Sequence, residues 1–352
     1  MSAEPTAVPA GDGARLLDVE GLVTRYQVPR GLLGTIRRRE QLYVHAVEGV
    51  DFSVGPGEML ALVGESGCGK TTTAQTVMRM VDADEGRISF RGQDISKLNH
   101  KQLRPLRREM QIIYQDPYES LDPRYRVRDT VAEPLLIHGI GGSDDERNAL
   151  VVQALVQAGL QPPELYLDRF PHELSGGQRQ RVAIAAAMVL KPKLLLADEP
   201  VSMLDVSVRA GILRLLDELR RDGLAIVMIT HDLSTAAHFA DRIAVMYLGR
   251  IVEEGPAKEV VRNPLHPYTK ALISVVPKRD PRDATVPQIL TGETPNPVHI
   301  PSGCRFHPRC PIAEERCREA RPPAFPVGPG RSSRCYLHDA TPDLPRNTPV
   351  DV

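Results

Sequence analysis

The most informative stretch of the chain is Gly64-Glu65-Ser66-Gly67-Cys68-Gly69-Lys70-Thr71-Thr72, which fits G-x-x-x-x-G-K-[ST] and directly follows the apolar run Met59–Val63. The chemistry of that spacing is phosphate binding. Glycines let successive backbone N–H groups turn inward around phosphate oxygens, and the N-terminus of a following helix adds its own favourable field. Lys70 is placed to reach the β- and γ-phosphates of a nucleotide and Thr71 to ligate Mg²⁺. A second run, Leu194-Leu195-Leu196-Ala197, ends in Asp198 and Glu199. Asp198 is placed to hold Mg²⁺ through water and Glu199 to polarise an attacking water. An acidic pair after an apolar strand is ordinary by itself, and its weight comes from the phosphate loop.

Two further constellations carry chemistry. Leu174-Ser175-Gly176-Gly177-Gln178-Arg179-Gln180-Arg181 makes Ser175 the N-cap of a helix through 178–190, and a serine with two glycines at a helix N-terminus is itself a phosphate site. Cysteine is unevenly placed: Cys68 is alone in the first 303 residues, whereas Cys304-x5-Cys310-x6-Cys317-x17-Cys335 falls within 32 residues. Four soft ligands so close suggest a metal before a disulfide in a reducing compartment. They suit a [4Fe–4S] cluster or tetrahedral zinc, with bare thiols or disulfides as the third reading. The lack of C-x₂-C knuckles weakens the zinc-finger reading. His307 and His338 are substitute ligands, although a surface histidine is the plainer reading of each.

These groups need elements to position them. Short, unbroken apolar runs at Met59–Val63, Leu194–Ala197 and Ala225–Ile229 read as strands buried on both faces, the pattern of a parallel sheet. Leu16–Glu20 and Val44–Val54 read as further strands with an excursion at 30–42 between them, and Arg242–Tyr247 with Arg250–Glu253 as a strand pair turning at Gly249. Residues 142–190 are helix-rich, with Leu150, Val151, Leu155 and Leu160 near helical spacing, and Val206–Arg221 is amphipathic. Residues 1–14 read as a flexible tail. Beyond about Pro264 prolines and cysteines replace periodicity, so 265–352 reads as a separate, loop-rich appendage in need of a staple.

Composition narrows the class. The 352 residues are 41% hydrophobic and 25% charged, ordinary globular usage. Basic and acidic residues number 44 and 45, so no global basic field exists to hold nucleic acid. The longest apolar runs, such as Leu224–Ile229, fall far short of the roughly 18–20 residues that span a bilayer. Met1–Arg15 has neither the positive start nor the apolar stretch of a secretory signal, which points to the cytoplasm.

The Leu-Ser-Gly-Gly-Gln string at 174–178 resembles the signature of ABC-transporter ATPases, and the remaining positions of that family follow in order. Gln115, in Ile112-Ile113-Tyr114-Gln115-Asp116-Pro117, matches the Q-loop glutamine that senses Mg²⁺. Ser202-Met203-Leu204-Asp205 matches the D-loop, and His231, after Thr230, the switch histidine that contacts the γ-phosphate. Tyr26 is the candidate for stacking on adenine, in an early loop where the family places an aromatic, with Tyr43 as the alternative. Gln115–Arg124, Phe170-Pro171-His172-Glu173, His266-Pro267-Tyr268-Thr269 and Gly292-Glu293-Thr294-Pro295-Asn296-Pro297 look like the oligopeptide/dipeptide importer subfamily, nearer its F-type than its D-type ATPase subunit. Ala186, where the family usually has arginine, and Met203, where it has a small residue, depart from the pattern without removing a phosphate or Mg²⁺ contact.

The resemblance spans about residues 16–338 and implies an α/β fold: a RecA-like P-loop NTPase core at 15–264, a helical subdomain inserted near 116–185, and a metal-stapled C-terminal extension at 265–352. It implies ATP, Mg²⁺ and an iron–sulfur cluster on Cys304, Cys310, Cys317 and Cys335, with zinc as the alternative. Catalysis would fall to Glu199, His231 and Gln115. Nucleotide binding would fall to Tyr26, Gly64–Thr72 and, from the opposite protomer, Ser175, Gly177 and Gln178. Mg²⁺ would be held by Thr71, Gln115 and Asp198. The implied partners are a second ATPase subunit, identical or not, two membrane permeases and an extracytoplasmic binding protein, on the cytoplasmic face of the membrane. Rival readings are a soluble ABC ATPase acting on ribosomes or nucleic acid, an importer ATPase for oligosaccharide or nickel, and an iron–sulfur sensor with a vestigial ATPase.

Overall fold

The computed structural model describes residues 15–30, 41–275, 288, 290 and 292–339. The expected tail at 1–14 and residues 31–40 of the expected excursion lie outside the described residues. The strands, in chain order, are β1 Leu17–Gln27, β2 Tyr43–Val54, β3 Met59–Val63, β4 Glu85–Phe90, β5 Gln93–Asp94, β6 Met110–Ile113, β7 Leu194–Asp198, β8 Ala225–Thr230, β9 Arg242–Tyr247, β10 Arg250–Pro256, β11 Phe325–Gly328 and β12 Arg331–Ser333. They form a four-stranded antiparallel sheet, β2-β1-β4-β5, and an eight-stranded sheet, β11-β12-β10-β9-β3-β8-β7-β6. The run β9-β3-β8-β7-β6 is parallel.

β3 explains why three layers form. Its five side chains are all buried. Met59, Ala61 and Val63 point into a core shared with the helices Val127–His138, Gly176–Met188 and Val206–Arg221. Leu60 and Leu62 point the other way, into a core shared with the helix Lys70–Val77 and the small sheet, through Leu17, Phe52 and Phe90. A strand whose side chains alternate between two apolar cores must be hydrophobic throughout, as this one is.

Between β6 and β7 lie the helices Pro117–Ser120, Val127–His138, Asp144–Gln157 and Gly176–Met188. Ser143 caps the third, its side chain accepting from the Glu146 N–H, and Asp144, Asp145 and Glu146 complement the helix dipole in the first turn. The sequence pattern had marked this helix, but not Val127–His138.

The C-terminal segment does not stand apart, as its composition had suggested. β12 pairs with β10, Glu253 opposite Ser333, and so extends the main sheet. Arg331 reaches the buried Glu253 at 3.0 Å, and that carboxylate also accepts from the Leu265 and His266 amides. Phe306 is 1% exposed, its ring 5.2 Å from Tyr247, 5.5 Å from Tyr268 and 5.6 Å from His266. This aromatic nest belongs to the same core as β3. Truncating its centre leaves a void that the surrounding rings cannot close. Phe306→Ala is expected to lower stability by roughly 3–5 kcal/mol in urea unfolding and to expose residues 292–339 to protease; a loss under about 1 kcal/mol would mean that the nest does not anchor this segment.

Candidate nucleotide site

The phosphate loop leaves β3 at its C-terminal end, and two of its glycines are dictated by space. A Cβ on Gly64 would stand 2.2 Å from the Met246 carbonyl oxygen, and one on Gly69, at φ 105°, would stand 2.1 Å from that of Ala46. The loop is thus pressed between β9 and β2 and tolerates no side chain at either point. Gly69 caps the helix Lys70–Val77 without any side-chain hydrogen bond, which leaves the first-turn amides for a ligand. Ser66, Gly67 and Thr71 lie open to solvent and Thr72 is half-buried. Lys70 is 5% exposed and donates to the carbonyl oxygens of Gly64 at 2.8 Å and Glu65 at 2.9 Å, folding back over its own loop. Cys68 is buried beneath it, and burial pushes its thiol pKa up against the pull of the Lys70 charge.

Sheet register brings the other groups to this loop. Val63 pairs with Thr230, and Asp198 with Ile229, so the ends of β3, β8 and β7 lie level. Asp198 is 3% exposed, and its Oδ1 has no hydrogen-bond partner among the described residues. Burial pushes its pKa up, a Thr71 hydrogen bond draws it down, and the Glu199 charge adds to the rise. A buried, orphaned carboxylate oxygen beside a threonine hydroxyl and the phosphate loop fits a hard divalent cation such as Mg²⁺. Glu199, in the left-handed region at φ 45°, is tied by its N–H to the Ile229 carbonyl at 3.0 Å. Its Oε2 lies 3.2 Å from His231 Nδ1, and the histidine is mostly exposed. Gln115 follows β6, whose Ile113 pairs with Ala197, and is exposed at the same edge.

Other expected residues lie elsewhere. Ser175 caps the helix Gly176–Met188 in a full capping box, its Oγ accepting from the Gln178 N–H and the Gln178 side chain accepting from the Ser175 N–H at 2.9 Å. A Cβ on Gly177 would strike Val208 at 2.3 Å. Among the described residues no hydrogen bond or ion pair joins Ser175, Gly177 or Gln178 to the phosphate loop. Tyr26 sits within β1, opposite Val44, rather than in the early loop expected for it, because β1 continues to Gln27. Tyr26 and Tyr43 are both exposed.

Cys304, Cys310, Cys317 and Cys335 line one cavity, together with His307 and Tyr336. Burial pushes the Cys310 thiol up to about 11 and that of Cys335 up to about 12, and the neighbouring sulfurs add to both shifts. All four are free thiols. No set of three or more His, Cys, Asp or Glu among the described residues converges on a point that could hold a single metal ion.

Sequence reasoning missed what reaches the phosphate loop from behind. The Tyr268 hydroxyl accepts from the Glu65 N–H at 3.0 Å, and Arg309 meets the Glu65 carboxylate at 2.9 Å. Tyr268 lay within a quoted string without a role; Arg309, in a proline-rich stretch, carried no signal at all.

The raised pKa of Asp198 has a consequence for stability. A carboxyl whose native pKa exceeds its unfolded value contributes stability below the unfolded pKa, and that contribution is lost as pH rises through the native one. At neutral pH the charged form therefore works against the fold. Asp198→Asn is expected to melt at or above the wild-type temperature at pH 7 in EDTA, yet to lose the upward shift on adding Mg²⁺ and nucleotide. A lower melting temperature in EDTA would contradict the electrostatic reading.

Known proteins resemble this chain over most of its length. The ABC transporter family profile matches residues 47–202, and that of the oligopeptide/dipeptide transporter C-terminal region matches 252–317. A probable peptide ABC transporter ATP-binding protein of Sinorhizobium fredii is 46% identical over 92% of this chain and 90% of its own length. A di/tripeptide transport ATP-binding protein of Pseudomonas aeruginosa is 46% identical over 87% and 93%. A dimeric ATP-binding cassette solved in a post-hydrolysis state with ADP and phosphate aligns with TM-score 0.59 at 29% identity, covering 68% of this chain and 98% of that one. The chain belongs to the ATP-binding subunits of ABC transporters, in the branch that carries the oligopeptide/dipeptide C-terminal region.

Proposed function

We propose that the protein is the ATP-hydrolysing subunit of an importer for oligopeptides or dipeptides. The observation that carries the reading is the level alignment of β3, β8 and β7, which gathers Lys70, Thr71, Asp198, Glu199 and His231 at one sheet edge. Lys70 and the loop amides bind the phosphates, with Lys70 exchanging its loop carbonyls for phosphate oxygens. Thr71, Asp198 and Gln115 would hold Mg²⁺, which supplies neutralisation of charge between the β- and γ-phosphates when bound. Glu199 takes the proton of the attacking water, and His231, in contact with that carboxylate, faces the γ-phosphate. Tyr26 is proposed to stack on the base.

No hydrogen bond or ion pair among the described residues joins Ser175, Gly177 or Gln178 to their own phosphate loop, and their role is assigned to the nucleotide of a second ATPase subunit. Met203 and Val206, large apolar residues 63% and 80% exposed beside the acidic pair, support such a docking. The segment Tyr118–Arg124 is proposed to receive a permease. It is tied to the signature helix by Arg179, whose guanidinium lies 3.5 Å from the Tyr118 ring centroid. No helix among the described residues is long and apolar enough to cross a membrane, so the membrane role falls to permease partners. An extracytoplasmic binding protein would deliver the peptide.

Residues 15–264 are proposed as the ATPase domain, with the helices near 116–185 as its inserted subdomain, and 265–352 as the extension. Cys304, Cys310, Cys317 and Cys335 are proposed to hold a [4Fe–4S] cluster, with zinc as the alternative. What supports the reading is that four free sulfurs line one cavity, the number such a cluster takes, although no three His, Cys, Asp or Glu among the described residues converge on a single ion. Such a group would act as a staple on a segment poor in large apolar residues.

Lys70→Ala is expected to abolish binding of a fluorescent ATP analogue, and Glu199→Gln to keep binding while slowing hydrolysis by roughly 10²–10⁴ in the assembled transporter. Unchanged turnover in the second variant would remove Glu199 from the role of base. Anaerobically purified protein is expected to be brown with about four irons per chain, and Cys310→Ser to lose them while ATP binding survives. Colourless protein with one zinc per chain would select the alternative, and metal-free protein with an equally protease-resistant tail would end the staple reading.

A further inference from the structure

Glu65 is the second residue of the phosphate loop, and its side chain points away from the nucleotide side into the C-terminal segment. Arg309 Nη1 lies 2.9 Å from Glu65 Oε2 and Nη2 3.3 Å from Oε1, a two-pronged pair. The Thr294 hydroxyl donates to the same carboxylate at 2.7 Å. The Glu65 N–H, which in a phosphate loop could otherwise turn inward, donates to the hydroxyl of Tyr268, a side chain that is fully buried. Arg309 is held in turn: its side chain is 9% exposed, and its guanidinium lies 5.9 Å from the Tyr247 ring centroid. Glu65 thus receives three contacts from residues 203 to 244 positions away in sequence.

We infer that Arg309, Thr294 and Tyr268 are positioning residues for ATP: they hold the phosphate loop through Glu65 and cancel a carboxylate that would otherwise repel the nucleotide. Two physical arguments carry this. Lys70 Nζ bonds the Glu65 carbonyl at 2.9 Å, so Glu65 shares the immediate surroundings of the group that reads the phosphates. An unpaired carboxylate there would oppose a polyanion in a partly buried, weakly screened setting. The loop's glycines contribute no side chains, and ordering them carries a high entropic cost. A rigid anchor from behind reduces what the nucleotide must order on arrival.

This inference rests on the proposed ATP site, and a charge cycle in the full chain separates the two. Affinity for a fluorescent ATP analogue is measured for wild type, Arg309→Ala, Glu65→Gln and the double variant, with folding checked by thermal melting. Arg309→Ala is expected to weaken binding about tenfold in the wild-type background and no more than about threefold when it is added to Glu65→Gln. A merely structural arginine would cost the same in both backgrounds. Tyr268→Phe, which deletes one oxygen and keeps the ring packing, serves even where Arg309→Ala does not fold; it is expected to speed hydrogen exchange at residues 64–70 and to raise the KM for ATP more than it lowers kcat. Wild-type binding with Arg309→Ala unchanged, an equal loss when it is added to Glu65→Gln, or unaltered exchange and KM in Tyr268→Phe would overturn the inference alone. A wild-type chain that binds no nucleotide would overturn the ATP site and this inference with it.

Discussion

The register of three parallel strands is the constraint on which the rest depends. Val63, Thr230 and Asp198 end at one level because β3 and β7 both hydrogen-bond to β8 without slippage. A slip of one residue would turn every side chain of a strand to the opposite face and put Ala61 and Val63 into the wrong core. The two cores on either side of β3 therefore hold the register, and the register brings a cation, two carboxylates and an imidazole to the place where the chain turns out of the sheet. Ligands bind at the carboxyl ends of strands in such sheets because the helix amides and the loop side chains open there together.

That edge is electrostatically costly. Among the described residues Asp198 is buried with one oxygen unpaired, Lys70 Nζ bonds two carbonyls of its own loop and the Cys68 sulfur, and Glu199 occupies a backbone region that non-glycine residues seldom visit. In the proposed function a nucleotide phosphate meets the lysine and a cation the carboxylate. Several charges elsewhere are paired on burial. Arg331 meets Glu253, and Arg242 contacts Glu58 at 2.7 Å and bonds to Glu254, a carboxyl raised by burial and partly restored by that arginine.

The segment after β10 is woven into this frame rather than hung from it. His266, a histidine that burial holds down at about 3 and hence neutral, caps the helix Pro267–Ser274 by accepting from the Tyr268 N–H. That cap aims Tyr268 at the phosphate loop. Phe306 packs against both Tyr268 and Tyr247, with Cys304 two residues before it and Cys310, past Arg309, four residues after. One short stretch of chain thus faces the cysteine cavity and the back of the nucleotide site.

How much of this was legible follows from the range of the physics involved. The phosphate loop, the acidic pair and the capped signature helix could be read directly, because each depends on neighbours a few residues away: glycines where backbones meet, a serine three residues before the amide it caps, apolar runs that only a twice-covered strand requires. The continuation of β1 through Tyr26 was hidden, since its pairing partners lie in β2 and β4 and its alternation is broken by register shifts. The four cysteines could be counted, but only the folded chain places them around one cavity. The C-terminal segment looked detached, because proline and low periodicity conceal a strand whose partner, β10, lies some eighty residues earlier by the sequence numbers. Arg309 had no local signal, since an arginine beside a cysteine is unremarkable until the fold brings Glu65 to meet it. Local backbone chemistry was thus written in the sequence, whereas the pairing of distant charges and strand edges was decided only when burial made each of them seek a partner.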